Sequence, residues 1–101
     1  MAKTLGIYVS SDHHLADLIQ LCQAAKKKDI AVHIFFTHRG TRLVTDPRFS
    51  ELTAMAQVAL CKVGFEDNGL PRSEVKLEDK SFASQMWHTE MINNCDRYLT
   101  F

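Results

Sequence analysis

Three short apolar runs, Lys3 to Val9, Ile30 to Phe36 and Gln57 to Cys61, alternate with stretches in which apolar residues recur every three or four positions. That alternation constrains the fold more than any other feature. Runs that are apolar on both faces suit central strands of a parallel sheet covered on both sides, and three- to four-residue spacing marks helices packed over them. Leu15, Leu18, Ile19, Cys22 and Ala25 form the first helical stripe. Ser11 or Asp12 is its expected N-cap, Lys26 to Lys28 complement the negative end of its dipole, and Asp29 marks the turn. Asp46-Pro47 reads as an N-cap followed by proline at the first helical position, with Phe49, Leu52, Met55 and Ala56 as the apolar face. Phe65 lies in a short helical segment closed by Asn68-Gly69, with Leu70 and Pro71 behind it. Phe82, Met86, Trp87 and Met91 give a last amphipathic helix, and Arg97 to Phe101 a closing strand.

Strand–helix alternation of this kind predicts an α/β fold with right-handed crossovers and a mostly parallel sheet of four to five strands. The expected architecture is a flavodoxin-like three-layer sandwich with strand order 2-1-3-4. The 101 residues make one domain the default. In that order the direction of winding reverses between the first and third strands, and ligands bind outside the carboxyl ends at such a point.

Charge narrows the partners. Twelve basic and twelve acidic side chains give a formal net charge of zero. A nucleic-acid binder carries a basic surplus and a membrane-surface protein a polybasic tract, so neither partner is expected. The apolar runs are far short of the roughly 20 residues of a membrane helix, and Lys3 with its short apolar sequel is too little for a signal peptide. The expected location is the cytoplasm. Cys22, Cys61 and Cys95 are an odd number without paired spacing, so neither a disulfide framework nor a zinc site is expected.

The expected carboxyl ends hold the chemistry. The first strand delivers Ser10, Ser11, Asp12, His13 and His14; the second delivers Thr37, His38, Arg39 and Gly40; the third delivers Cys61 and Lys62. A thiol where a strand gives way to a helix, near Lys62, His38 or Arg39, is in surroundings that favour the thiolate, while Glu66 and Asp67 oppose this. Spacing excludes several chemistries. A phosphatase loop needs arginine where Asp67 stands, and a dithiol oxidoreductase needs cysteine where Gly64 stands. A phosphoacceptor domain needs a carboxylate where Cys61 stands. Neither common phosphate-cradling glycine motif is present. A Cys-His-Asn hydrolase would have little substrate-binding surface in so small a chain.

Phe35-Phe36-Thr37-His38-Arg39-Gly40-Thr41-Arg42-Leu43 resembles the FFTFxG…L segment of small DsrE/DsrF-like proteins. Cys61 to Leu70 resembles the same family's Cys-x7-Gly-Leu segment, and Cys95 to Phe101 is similar to its closing strand. The three pieces fall in the family's order along nearly the whole chain, which reads as a single DsrE-like domain over residues 1–101. His38 and Arg39 depart from the aromatic character usual after the threonine and make this loop polar. The resemblance implies a flavodoxin-like fold, homo- or hetero-oligomers (dimer, trimer or hexamer), and partner proteins that donate or accept sulfur. In sulfur-relay members it implies a cysteine that accepts sulfur as a persulfide, a sulfurtransferase-type role that needs no cofactor or metal. Cys61 is the cysteine at the matching position.

Thr37, His38 and Arg39 are then the anion- or substrate-binding candidates, with Ser10 and His13 at the rim. An alternative from a different class is a non-enzymatic oligomeric module binding a small anion or nucleotide at the same crevice. Cys22, on the first helical stripe, and Cys95, at the end of the last helix, read as packing residues. Adjacent His13 and His14 point about 100° apart on a helix and do not readily share a metal ion. His33 reads as a core or interface residue, and Trp87, Met86 and Met91 as core or subunit contacts.

Overall fold

A computed structural model describes residues 3–75 and 77–101. Strand β1 (Thr4–Val9) leads through helix α1 (Leu15–Lys27) to β2 (Ala31–Phe36). A 3-10 segment (His38–Thr45) and α2 (Phe49–Met55) precede β3 (Gln57–Cys61), which runs directly into α3 (Lys62–Asp67). The two-residue β4 (Phe82–Ala83), α4 (Gln85–Asn94) and β5 (Arg97–Thr100) follow. All five strands are parallel, in the order β4-β3-β2-β1-β5. Among the described residues no helix is long and apolar enough to cross a membrane.

The α/β parallel sheet is the one the alternation predicts, and its order differs from 2-1-3-4. β2 lies between β1 and β3, and the closing strand β5 pairs with the other edge of β1. Burial explains the difference. Val32, Ile34, Phe35 and Phe36 are all buried, so β2 is apolar on both faces and takes the centre of the sheet. Arg97 to Thr100 are all exposed and suit an edge. The winding therefore reverses between β1 and β5, and Cys61 does not stand at the reversal. That junction is closed by the backbone, with Ser10 N donating to Phe101 O at 2.9 Å.

The same winding sorts the helices. From β1 to β4 each crossover steps in one direction, and right-handed connections then put α1, α2 and α3 on one face; the return to β5 puts α4 on the other. The core divides accordingly. Ile7, Val9, Ile34, Phe36 and Leu60 meet Leu18, Cys22, Leu52 and Phe65 on the first face. Phe35, Ala59 and Cys61, with Tyr8 and Ala83, meet Met91 and Trp87 of α4 on the second. Each fully buried large aliphatic or aromatic side chain here contributes about 1.5–3 kcal/mol of transfer free energy. The first face holds most of them.

Local details depart from the sequence reading in three places. His14, not Ser11 or Asp12, stands at the N-cap of α1, with no side-chain cap. Asp12 instead faces His13 Nε2 at 3.4 Å and Arg42 at 3.6 Å. Helix α2 starts at Phe49, later than Asp46-Pro47 implies, because the Asp46 carboxylate caps the turn before it by accepting from the Arg48 amide at 2.9 Å. Phe82 belongs to β4 rather than to the last helix, where it pairs with Leu60.

Candidate functional site

Cys61 ends β3 and is the N-cap of α3, with an extended backbone and no cap bond from its side chain. Its neighbours in the sheet alternate with it. Leu60 points into the three-helix face, so Cys61 points to the α4 face, where it clusters with Phe35, Ala59 and Met91. The residue is 8% exposed. Its polar neighbour is Gln85, the first residue of α4, whose Nε2 lies 3.9 Å from Cys61 Sγ and 3.5 Å from Thr37 Oγ1. Thr37, buried at the end of β2, is thereby joined to Cys61 through one carboxamide.

The loop after β2 is tightly built. A Cβ on Gly40 would come within 2.3 Å of the Val9 carbonyl oxygen, so glycine is needed for this close approach. His38 adopts a left-handed conformation (φ 48°), which costs a non-glycine residue about 1–2 kcal/mol. Asn68 offsets that cost. Its Nδ2 lies 2.8 Å from His38 O, 2.9 Å from Gly64 O and 2.7 Å from Thr41 Oγ1, and its Oδ1 accepts from Arg42 Nε at 3.1 Å. Thr41 Oγ1 in turn donates to His38 O at 2.9 Å. Asn68 follows α3 directly, so this amide clamps the Thr37–Arg42 loop to the helix that Cys61 starts.

The candidate residues separate into three groups. Thr37 and Cys61 are brought together by Gln85. Ser10 lies instead at the β1–β5 junction, its Oγ 3.4 Å from Phe101 O, and the exposed His13 pairs with Asp12. Ser11 Oγ, beside them, is shielded from solvent with no hydrogen-bond partner among the described residues. His38 and Arg39 are exposed, and among the described residues their side chains form no hydrogen bond or ion pair. A cavity of about 730 Å³ beside α3 is lined by Lys62, Phe65, Glu66, Gly69, Leu70, Arg72, Asp79 and Phe82. Arg72 spans its edge, ion-paired to Asp79 at 2.8 Å and 4.4 Å from the Phe82 ring centre.

The three thiols differ in surroundings. Cys22 is fully buried in the three-helix face, and burial pushes its thiol up to about 11. Cys95 is half-buried, with Sγ 3.6 Å from Ile92 O and packed against Gly6. Cys61 is the one at a strand's carboxyl end with a side-chain amide turned toward it. Sequence reasoning missed Gln85 and gave Asn68 only a turn role. A Gln after a serine N-cap is ordinary helix chemistry, and no sequence signal marks it out.

The α4 face carries a second cluster around His88. Its ring lies 4.3 Å from the Tyr8 ring and stacks on Phe35 at 5.5 Å, and its Nε2 is 2.8 Å from the Tyr98 hydroxyl. Burial lowers the His88 pKa below its usual value. The cluster ties α4 to β1, β2 and β5 at once.

Compared with known proteins, the chain matches no family model and no curated protein.

Proposed function

We propose that the protein is a DsrE-like sulfur carrier in which Cys61 accepts a sulfur atom as a persulfide and passes it on. The observation that carries this reading is the Cys61–Gln85–Thr37 arrangement: a thiol at the end of a sheet strand, with a neutral amide donor 3.9 Å away. The resemblance of the Phe35–Leu43, Cys61–Leu70 and Cys95–Phe101 segments to that family supports it. The step balances without a cofactor. The Cys61 thiolate attacks the outer sulfur of a donor persulfide, a new S–S bond forms at Cys61, and the donor leaves as its thiolate. The charge stays on sulfur throughout, so the site needs donors for an anion and no oxidant. With this reading go a reducing cytoplasmic setting, an oligomeric assembly, and protein partners that donate and accept the sulfur.

Loading tests it. The chain is incubated with inorganic polysulfide and its intact mass measured. A gain of one sulfur atom is expected, lost in Cys61→Ser and kept in Cys22→Ala and Cys95→Ala. A gain that persists in Cys61→Ser overturns the assignment.

One observation favours a second reading, a non-enzymatic module binding a small anion or nucleotide: the exposed His38 and Arg39 are engaged by no acidic partner among the described residues. It predicts thermal stabilisation by phosphate or a nucleotide that survives Cys61→Ser and weakens in Arg39→Ala.

A further inference from the structure

The backbone of the first turn of α4 is held by two side-chain hydroxyls. Ser84 Oγ accepts from Met86 N at 3.2 Å, and the Gln85 carbonyl accepts from Thr89 Oγ1 at 3.2 Å. Just before it, Ala83 stands in register with Cys61 across the β3–β4 pair. Paired residues of parallel strands share a face. The small Ala83 side chain therefore packs on the same face as the sulfur, and the Gln85 side chain folds back to reach it. Gln85 is itself an exposed residue. Rotation about its side-chain bonds moves the carboxamide off the sulfur without moving the helix, and exposed side chains make such changes in picoseconds to nanoseconds.

The hydrogen count points the same way. Nε2 carries two hydrogens, and its two neighbours are Thr37 Oγ1 and Cys61 Sγ. A neutral thiol is a weak acceptor, whereas a sulfur anion forms the shorter and stronger charge-assisted bond. At 3.9 Å the contact has the length of a weak bond to a neutral thiol, and a thiolate or persulfide formed there draws the amide closer. Thr37 is 1% exposed, and among the described residues its hydroxyl accepts from Gln85 but finds no acceptor for its own proton. That proton is available to a second sulfur atom.

We propose that Gln85 is the positioning residue of the Cys61 site, a swinging cover whose amide holds the sulfur anion and orients the Thr37 hydroxyl. This rests on the reading of Cys61 as the reacting sulfur. The amide stabilises an anion without a formal positive charge, so no ion pair has to be broken when the sulfur leaves.

The test follows the rate of iodoacetamide alkylation at Cys61, read by peptide mass spectrometry across pH 6 to 10, on the folded chain and three variants. Gln85→Met keeps the length and loses both donors. Its rate profile is expected to move to higher pH by about one unit, with a plateau within about twofold of the original. Gln85→Glu places a carboxylate beside the sulfur and is expected to move the profile further. Gln85→Ala removes cover and donor together and is expected to raise the plateau about tenfold. Profiles of Gln85→Met and Gln85→Glu that superimpose on the original, or an Ala plateau that does not rise, overturn the proposal. Urea midpoints within about 0.5 M of the original establish that each variant is folded. Polysulfide loading of the unmodified chain separates the two readings. A shifted Gln85→Met profile on a chain that never takes up sulfur leaves the Gln85 role standing and removes the sulfur carrier; unshifted profiles on a chain that does take it up do the reverse.

Discussion

Replacing Gly40 by alanine sets a hard test of the loop that carries Thr37, His38 and Arg39. The new Cβ would lie 2.3 Å from Val9 O, 2.9 Å from Val9 C and 3.2 Å from Val9 Cγ1. The first two are backbone atoms of a buried strand and cannot rotate away. Forcing them apart costs about 1–3 kcal/mol, as other overpacked sites do. The Val9 carbonyl also accepts the Thr37 amide at 2.9 Å. Displacing it loosens that bond in a buried place, a further cost of about 1–3 kcal/mol. Reduced freedom of the unfolded chain returns about 0.4–1 kcal/mol. The net loss is about 3 kcal/mol, against a total stability of about 5–15 kcal/mol for a domain of this kind. Thermal unfolding should then fall by about 12–24 °C. Urea denaturation at pH 7 measures the loss directly, read as a lower midpoint with an unchanged slope. Gly69→Ala is the comparison: its φ is +64° but nothing lies within 4 Å of the added methyl, so only the left-handed backbone cost of about 1–2 kcal/mol applies. A Gly40→Ala loss below about 1 kcal/mol, or one no larger than that of Gly69→Ala, would falsify the close-approach argument.

Asn68→Ala should cost about 1–2 kcal/mol in urea, because the His38 and Gly64 carbonyls lose their shared donor. Asn68→Asp should cost more at pH 7, where a carboxylate faces those two carbonyls, and should recover part of the loss at lower pH as the carboxyl protonates. An Asp variant as stable as the Ala variant at every pH would count against the clamp. His88 gives the pH dependence. Its folded pKa is lowered by burial from 6.5, so the folded chain prefers the neutral ring. That contribution is present above pH 6.5 and is lost as pH falls through the lowered value. Urea midpoints should drop between pH 7 and pH 5, and His88→Gln should flatten the drop; equal slopes in both chains would remove His88 as the cause.

Much of the fold was legible because the apolar runs of β1, β2 and β3 are long enough to show their two-faced burial. Gln57–Cys61 and the Asn68-Gly69 helix stop lie where the residues place them, since strand termini and left-handed caps have local causes. Strand order was less legible. It depends on which strand can be buried on both faces, and only the tertiary burial of Val32, Ile34, Phe35 and Phe36 ranks β2 above β1 for the centre. The two residues of β4 are too few to show any periodicity. At the site, Cys61 and Thr37 could be placed at their strand ends by counting. Gln85 could not, because its relation to the sulfur comes from the β3–β4 register, with 24 residues separating it from Cys61 along the chain.

The pairing of β5 with β1 has a mechanical consequence. The two strands run parallel side by side, so tension applied at Lys3 and at Phe101 pulls them past each other along their length. The ladder is pinned at both ends. Thr4 N donates to Asp96 Oδ2 at 2.8 Å and Asp96 N to Thr4 O at 2.8 Å; at the far end, Phe101 N donates to Tyr8 O at 2.8 Å. Loaded in shear, these bonds and the evenly spaced ones between them share the force together rather than opening one by one. Forced unfolding is governed by the unfolding rate rather than by equilibrium stability. An exposed, four-residue edge strand that adds little to the core thus becomes the part of the sheet that resists extraction from its two ends.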